Sequence, residues 1–143
     1  MIEKEVKARK LTPESFEPFG SIVGPQIRKP DTSTDIIDWC DALAELGIED
    51  AVAGYLVAKH REFTFDKAER HVKGPEMYVP LGGTSILPLA PANDLNPKAL
   101  PSLDKWVAFA LDGTKAIVFK KGVWHWAPFP LSETAAFVII LRR

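Results

Sequence analysis

An all-β fold with small helices at its amino end is what the sequence predicts, on three observations. Short apolar stretches recur at fairly regular intervals from Val52 onward. The gaps between them carry turn residues, in Gly82-Gly83, Pro91, Pro97, Pro101 and Asp112-Gly113. The clearest helix-start signal, Thr12-Pro13, precedes them all. Many short strands punctuated by Gly and Pro indicate a β-sandwich or β-barrel. At 143 residues the simplest division is one domain spanning 1–143, and a chain of that size buries roughly two-thirds of the surface it exposes unfolded.

In chain order, Thr12 suits an N-cap and Pro13 the first helical position. Pro18 and Gly20 then end the helix after about two turns. Ser21 to Val23 reads as a short strand, and Gly24 to Thr34, with Pro25, Pro30, Asp31, Thr32 and Ser33, reads as loop. From Asp35 to Leu46 the residues Ile36, Ile37, Trp39, Ala42, Leu43 and Leu46 fall near helical spacing, with an irregular strand as the alternative. Strands are predicted over Val52–Ala58, Arg61–Phe65, Glu69–His71, Met77–Leu81, Ser85–Leu89, Lys105–Leu111, Lys115–Phe119 and Ala135–Leu141. Asp112-Gly113 is a favoured hairpin turn.

Charge and composition exclude several classes. Lys and Arg number 18 against 19 Asp and Glu, with no long basic run, so the electrostatic footprint of a nucleic-acid binder is missing. The longest apolar run, Ala135 to Leu141, is far shorter than the roughly twenty residues of a membrane span. Cys40 is the single cysteine, and Met1-Ile2-Glu3-Lys4-Glu5 is charged where a signal peptide is apolar. Both predict a cytoplasmic protein whose partner is a small molecule, with neither nucleic acid nor membrane.

Ionisable groups concentrate in Glu69 to Gly83, ERHVKGPEMYVPLGG. Extended backbone places Glu69 and His71 on one face and Arg70 on the other. After the turn Lys73-Gly74-Pro75, Glu76 heads the apolar run Met77 to Leu81. Further on, Gly122 to Pro128 sets His125 between Trp124 and Trp126.

Together these stretches resemble the two-motif pattern of the cupin superfamily of small β-barrels. His71, Glu76 and Gly83 keep the spacing of the first motif, and Gly122 and His125 keep the end of the second. Glu69 stands where the first motif has a histidine, and Lys120 where the second has a proline. The Glu69-Arg70-His71 opening and Gly122-Val123-Trp124-His125, with Leu11 to Phe16, Pro18-Phe19-Gly20, Val79 to Leu81, Ala90-Pro91 and Trp106 to Phe109, are similar to the ureidoglycolate lyase (ureidoglycolate hydrolase) family. Pro75-Glu76 differs from that family's small residue and Gln, and Trp126 stands where another His is common. The resemblance implies a cupin-type β-barrel (double-stranded β-helix or jelly roll). It also implies a homodimer and cleavage of ureidoglycolate to glyoxylate and urea in purine-nitrogen breakdown through allantoin.

On that reading His71 and His125 serve as acid and base, in an order left open, because their unperturbed pKa lies nearest neutrality. Glu69 or Glu76 can replace either, since burial beside another carboxylate raises a carboxyl pKa. Arg70 and Lys121 are candidate contacts for the substrate carboxylate, and Tyr78 and Trp124 candidate pocket walls. The plainer alternatives are a solvated Glu69-Arg70 pair, a solvated Lys120-Lys121 turn, core packing for the two aromatics and a carbonyl-bonded strand histidine at 71. Glu69, His71, Glu76 and His125 also form a two-His, two-carboxylate set suited to Mn, Fe, Ni or Zn. A metal-dependent cupin acting on another small polar substrate and a non-catalytic small-molecule-binding cupin are the competing functions. His60 and Cys40 read as structural.

Overall fold

Alternation between core and solvent fixes the architecture of the computed structural model, which describes residues 2–143. Along strand β12 (Thr134–Arg142) Ala135, Phe137 and Ile139 are buried while the residues between them are more exposed. β12 pairs antiparallel along its whole length with β5 (Ala51–Lys59) on one side and with β6 (Glu76–Gly82) on the other. With β2 (Gly20–Val23) and β9 (Ala116–Phe119) they complete a five-stranded sheet ordered β2-β9-β6-β12-β5. The second sheet is ordered β1-β8-β7-β10, from β1 (Ala8–Lys10), β7 (Ser85–Ala90), β8 (Val107–Leu111) and β10 (Trp124–His125); its fifth strand, β11 (Phe129–Pro130), also pairs with β7.

The two inner faces share one core, Tyr78, Ile117, Phe119 and Phe137 from the first sheet against Leu87, Leu89, Phe109 and Leu111 from the second. Phe16 and Phe19, from the amino-terminal segment, pack on Phe109 with ring centroids 5.3 and 5.5 Å away. Each such fully buried side chain contributes about 1.5–3 kcal/mol relative to exposure. The all-β expectation holds, and the two sheets form a sandwich whose strands are not joined into one closed barrel.

Differences from the sequence reading have identifiable causes. Thr12 does cap α1 (Pro13–Phe16): its Oγ1 accepts from Ser15 N, and Ser15 Oγ accepts from Thr12 N, both at 3.0 Å. α1 is only four residues long, shorter than expected, because Pro18 has no N–H with which to continue it. No helix forms at Asp35–Leu46. The irregular-strand alternative holds at β4 (Asp38–Trp39), which pairs in a short hairpin with β3 (Thr32–Ser33), a strand within the segment expected as loop; Ile36, Ile37 and Trp39 are exposed, so the apolar spacing has no core face to dock on. Arg61–Phe65 is not a strand either. Arg61 donates to the Pro128 and Ala127 carbonyls at 2.9 and 2.8 Å and lies over the Phe129 ring, so side chains rather than a ladder hold the segment. Glu69–His71 is reduced to a single bridge between Glu69 and His125. Among the described residues, no helix is long and apolar enough to cross a membrane.

Two turns carry the chain from one sheet to the other. Asp112-Gly113 turns the chain but makes no hairpin, because β8 pairs with β1 and β7 in one sheet and β9 with β2 and β6 in the other. Asp112 closes this crossing by accepting from the Thr114 hydroxyl and N–H at 2.6 and 2.9 Å and from Lys115 at 3.0 Å. Gly83, between β6 and β7, has φ of +88°, and a Cβ there would meet the Thr134 carbonyl oxygen at 2.7 Å. Since both the dihedral and the backbone contact oppose a side chain, Gly83→Ala is expected to lower unfolding free energy by about 1–3 kcal/mol. Urea titration of the two proteins measures this, and equal midpoints would contradict it.

Candidate functional site

Glu76 enters the interior because the sheet register places it. It opens β6 opposite Leu141 and Phe119, on the inward face it shares with Tyr78, and is buried. His125 arrives from the other sheet, on β10 opposite Leu89, and is 1% exposed. Glu69 is brought to it by two backbone hydrogen bonds, Glu69 N to His125 O and His125 N to Glu69 O, both 2.9 Å. Gly122 N donates to His71 O at 2.8 Å, which holds the next stretch of the same pairing. The two sequence motifs are thus hydrogen-bonded to each other, and alternation sends Glu69, His71 and His125 to one side.

The side chains converge closely. His71 Nε2 lies 3.0 Å from Glu76 Oε2, and His125 Nε2 lies 3.5 Å from both Glu76 Oε2 and Glu69 Oε1. The two imidazole rings are 5.4 Å apart at 30°. Although these contacts are close, Glu76 Oε2 and His125 Nε2 are buried and make no aligned hydrogen bond among the described residues. His125 Nδ1 is 3.2 Å from the Val123 carbonyl. A carbonyl only accepts, so Nδ1 carries the proton and, in the neutral ring, the lone pair is on Nε2.

These neighbours shift the titrations in opposite senses. The Glu76 carboxylate beside it raises His71 above its ordinary value, against the opposing effect of burial, with Glu69 adding to the rise. Glu69 is lowered, first by the His125 ring beside it, again against desolvation. Burial pushes the Tyr78 phenol up.

The donor set fits a metal ion. One ligand atom each from Glu69, His71 and His125 lies within 4.8 Å of the other two, a two-His, one-carboxylate group of the kind that binds first-row metals. Glu76 borders both histidines, and the unpartnered Glu76 Oε2 and His125 Nε2 are the atoms such an ion would satisfy.

The remaining sequence-predicted residues lie elsewhere. Arg70 points away from Glu69 and His71. Its guanidinium donates to Asn93 Oδ1, Asp94 O and Asn96 O, each at 2.9 Å, and lies over the Trp124 ring. Trp124 is buried with Ala90 and Trp106, its indole N–H donating to Asn93 at 3.0 Å, so both residues fasten the 93–96 loop. Tyr78 is a core residue between Phe119 and Phe137, with its ring 6.4 Å from that of His125. Lys121 is exposed in the turn before Gly122.

One feature of the surroundings was not read from the sequence. A groove of about 210 Å³ opens beside half-exposed His71, between the Arg70–Pro75 segment and Leu141–Arg143 at the end of β12. Only the register that sets Glu76 opposite Leu141 brings those two segments together. A surplus of cationic residues at 70, 73, 142 and 143 is visible in the sequence, but their shared location is not.

The sequence profile described as ureidoglycolate lyase matches residues 3–143. A ureidoglycolate lyase of Burkholderia cepacia is 27% identical over 151 aligned residues, which cover 96% of this chain and 79% of that protein. Ureidoglycolate lyase 2 of Rhizobium meliloti (strain 1021) is 27% identical over 142 residues, covering 94% of this chain and 83% of that one. The solved structure of RmlC from Streptococcus suis in complex with dTDP-D-xylose aligns with a TM-score of 0.42 and 14% identity, over 66% of this chain and 44% of that chain.

Proposed function

The chain belongs to the ureidoglycolate lyase family, and from that membership we propose that it cleaves ureidoglycolate to glyoxylate and urea, with His71, His125, Glu69 and Glu76 as the catalytic group. The observation that carries this reading is the unpartnered Nε2 of buried His125, 3.5 Å from two carboxylates and beside a second histidine of raised pKa. An elimination of this kind needs a base for the hydroxyl proton and an acid for the leaving nitrogen. His125, with its Nε2 lone pair, takes the substrate hydroxyl proton; the carbon–nitrogen bond breaks as the new carbonyl forms, and the electron pair goes to the urea nitrogen. His71, held protonated by Glu76, donates the proton that this nitrogen requires. Glu69, kept ionised beside His125, stabilises the imidazolium that develops there.

Glu69, His71 and His125, with Glu76 bordering them, would hold a divalent Mn, Fe, Ni or Zn ion. When bound, such an ion supplies Lewis acidity toward the substrate's oxygens. Metal-dependent turnover is the second reading, and the closeness of the three donor atoms favours it. The proposal places the enzyme in the cytoplasm, in purine-nitrogen breakdown through allantoin, as a homodimer. Exposed Tyr55 and Val57 on the edge strand β5 support the last of these.

The test is glyoxylate release from ureidoglycolate, with and without added divalent metal, followed across pH. Turnover is expected to persist above pH 6.5, the ordinary histidine value, and to decline as pH rises through the raised pKa of His71. Release no faster than background under every metal condition would refute the proposal. Stoichiometric metal in the purified protein, with loss of turnover on chelation, would select the metal-dependent form.

A further inference from the structure

We propose that the groove beside His71 holds the carboxylate of the substrate, with Lys73 and Arg143 as the residues that bind it. This rests on the ureidoglycolate reading and adds the positioning that the reading lacks. Four of the nine residues lining the groove, Arg70, Lys73, Arg142 and Arg143, carry fixed positive charge, and none is acidic. A small concave site with one sign of charge concentrates ligands of the other sign. His71 forms part of its wall and also lies 3.0 Å from Glu76, so a small acid seated in the groove reaches the ionisable cluster through that ring.

The four cations are not equivalent. Arg70 has three acceptors and a tryptophan face already. Arg142 lies one residue beyond Leu141 on β12, on the outward face, and faces Glu49 at 3.6 Å. Arg143 lies just past the end of β12 and lines the groove beside Leu141. Its backbone N–H is tied to Asp50 O at 3.3 Å, which anchors the residue without using its guanidinium. Lys73 sits in the turn that leads to Glu76 and, like Arg143, makes no ion pair among the described residues. Lys73 and Arg143 are therefore the groove cations that have no acidic partner among the described residues.

Glyoxylate, which carries the carboxylate without the scissile bond, is the probe. Its dissociation constant, measured by calorimetry, is expected to rise about tenfold or more in Lys73→Ala and in Arg143→Ala, the loss of a hydrogen bond to a charged group. Arg142→Ala stays within about twofold, as a surface pair does, and Lys73→Arg recovers most of the affinity. In turnover the Lys73→Ala loss falls on KM more than on kcat. Wild-type glyoxylate affinity in both Lys73→Ala and Arg143→Ala overturns the assignment, as does an equal loss in all three alanine variants, which marks diffuse attraction. A protein that binds glyoxylate through Lys73 and Arg143 yet releases none from ureidoglycolate confirms the groove and refutes the reaction.

Discussion

His125→Gln is expected to reduce glyoxylate release by about 10²–10⁴-fold, the range for removal of a positioned acid or base. Gln occupies a similar volume, so the packing of this 1% exposed residue against Phe119, 5.3 Å between centroids, is largely kept. What is lost is the basic nitrogen that the Val123 carbonyl fixes at Nε2 by holding the other proton. Pre-steady-state and steady-state release, with a thermal melt to verify folding, measures the effect. A variant that stays folded and retains turnover within about tenfold would remove His125 from the reaction. A melting point that collapses together with activity would be answered by His125→Asn, which leaves more space and the same loss of basicity.

The features that the sequence made legible are those written in local chemistry. Thr12 and Pro13 announce the start of α1, and the apolar run Ala135–Leu141 its strand, while Asp112-Gly113 announces a turn but not that the turn crosses from one sheet to the other. Extended alternation across Glu69, Arg70 and His71 also separates the pair that faces the cluster from the arginine that faces Trp124, even though only one bridge of true ladder forms there. What stays hidden depends on distant pairing. The parallel partnership of β1 with β8 joins Ala8 to Ala108, about which neither stretch carries a local signal. Ile36, Ile37 and Trp39 imitate a helical stripe while lying exposed around a two-residue hairpin, because spacing does not reveal whether a core is available to receive it. The groove beside His71 needs the β6–β12 register, a contact across more than sixty positions of sequence, before Lys73 and Arg143 meet.

Glu76→Gln separates charge from shape at the centre of the cluster. Glu76 is 5% exposed, and its Oε2 is unpartnered although it lies 3.0 Å from His71 Nε2. It is also the leading cause of the raised pKa of His71. Neutralising it leaves desolvation to act on that ring with less opposition, so the imidazolium is lost at lower pH. The expected result is a fall in kcat of about 10²-fold on the alkaline side of neutrality, shrinking as pH is lowered and His71 regains its proton. Stability follows the same linkage. A raised folded-state pKa contributes stability that is fully present below the unfolded value of 6.5 and disappears as pH rises through the folded value. In metal-free protein the difference in unfolding free energy between wild type and Glu76→Gln should therefore change across that window, with the wild type losing its advantage toward high pH. A residue that merely fills space would alter stability equally at every pH and leave the alkaline limb of turnover where it was. If the limb does not move, Glu76 does not control the charge on His71, and the acid in this reaction must be sought elsewhere.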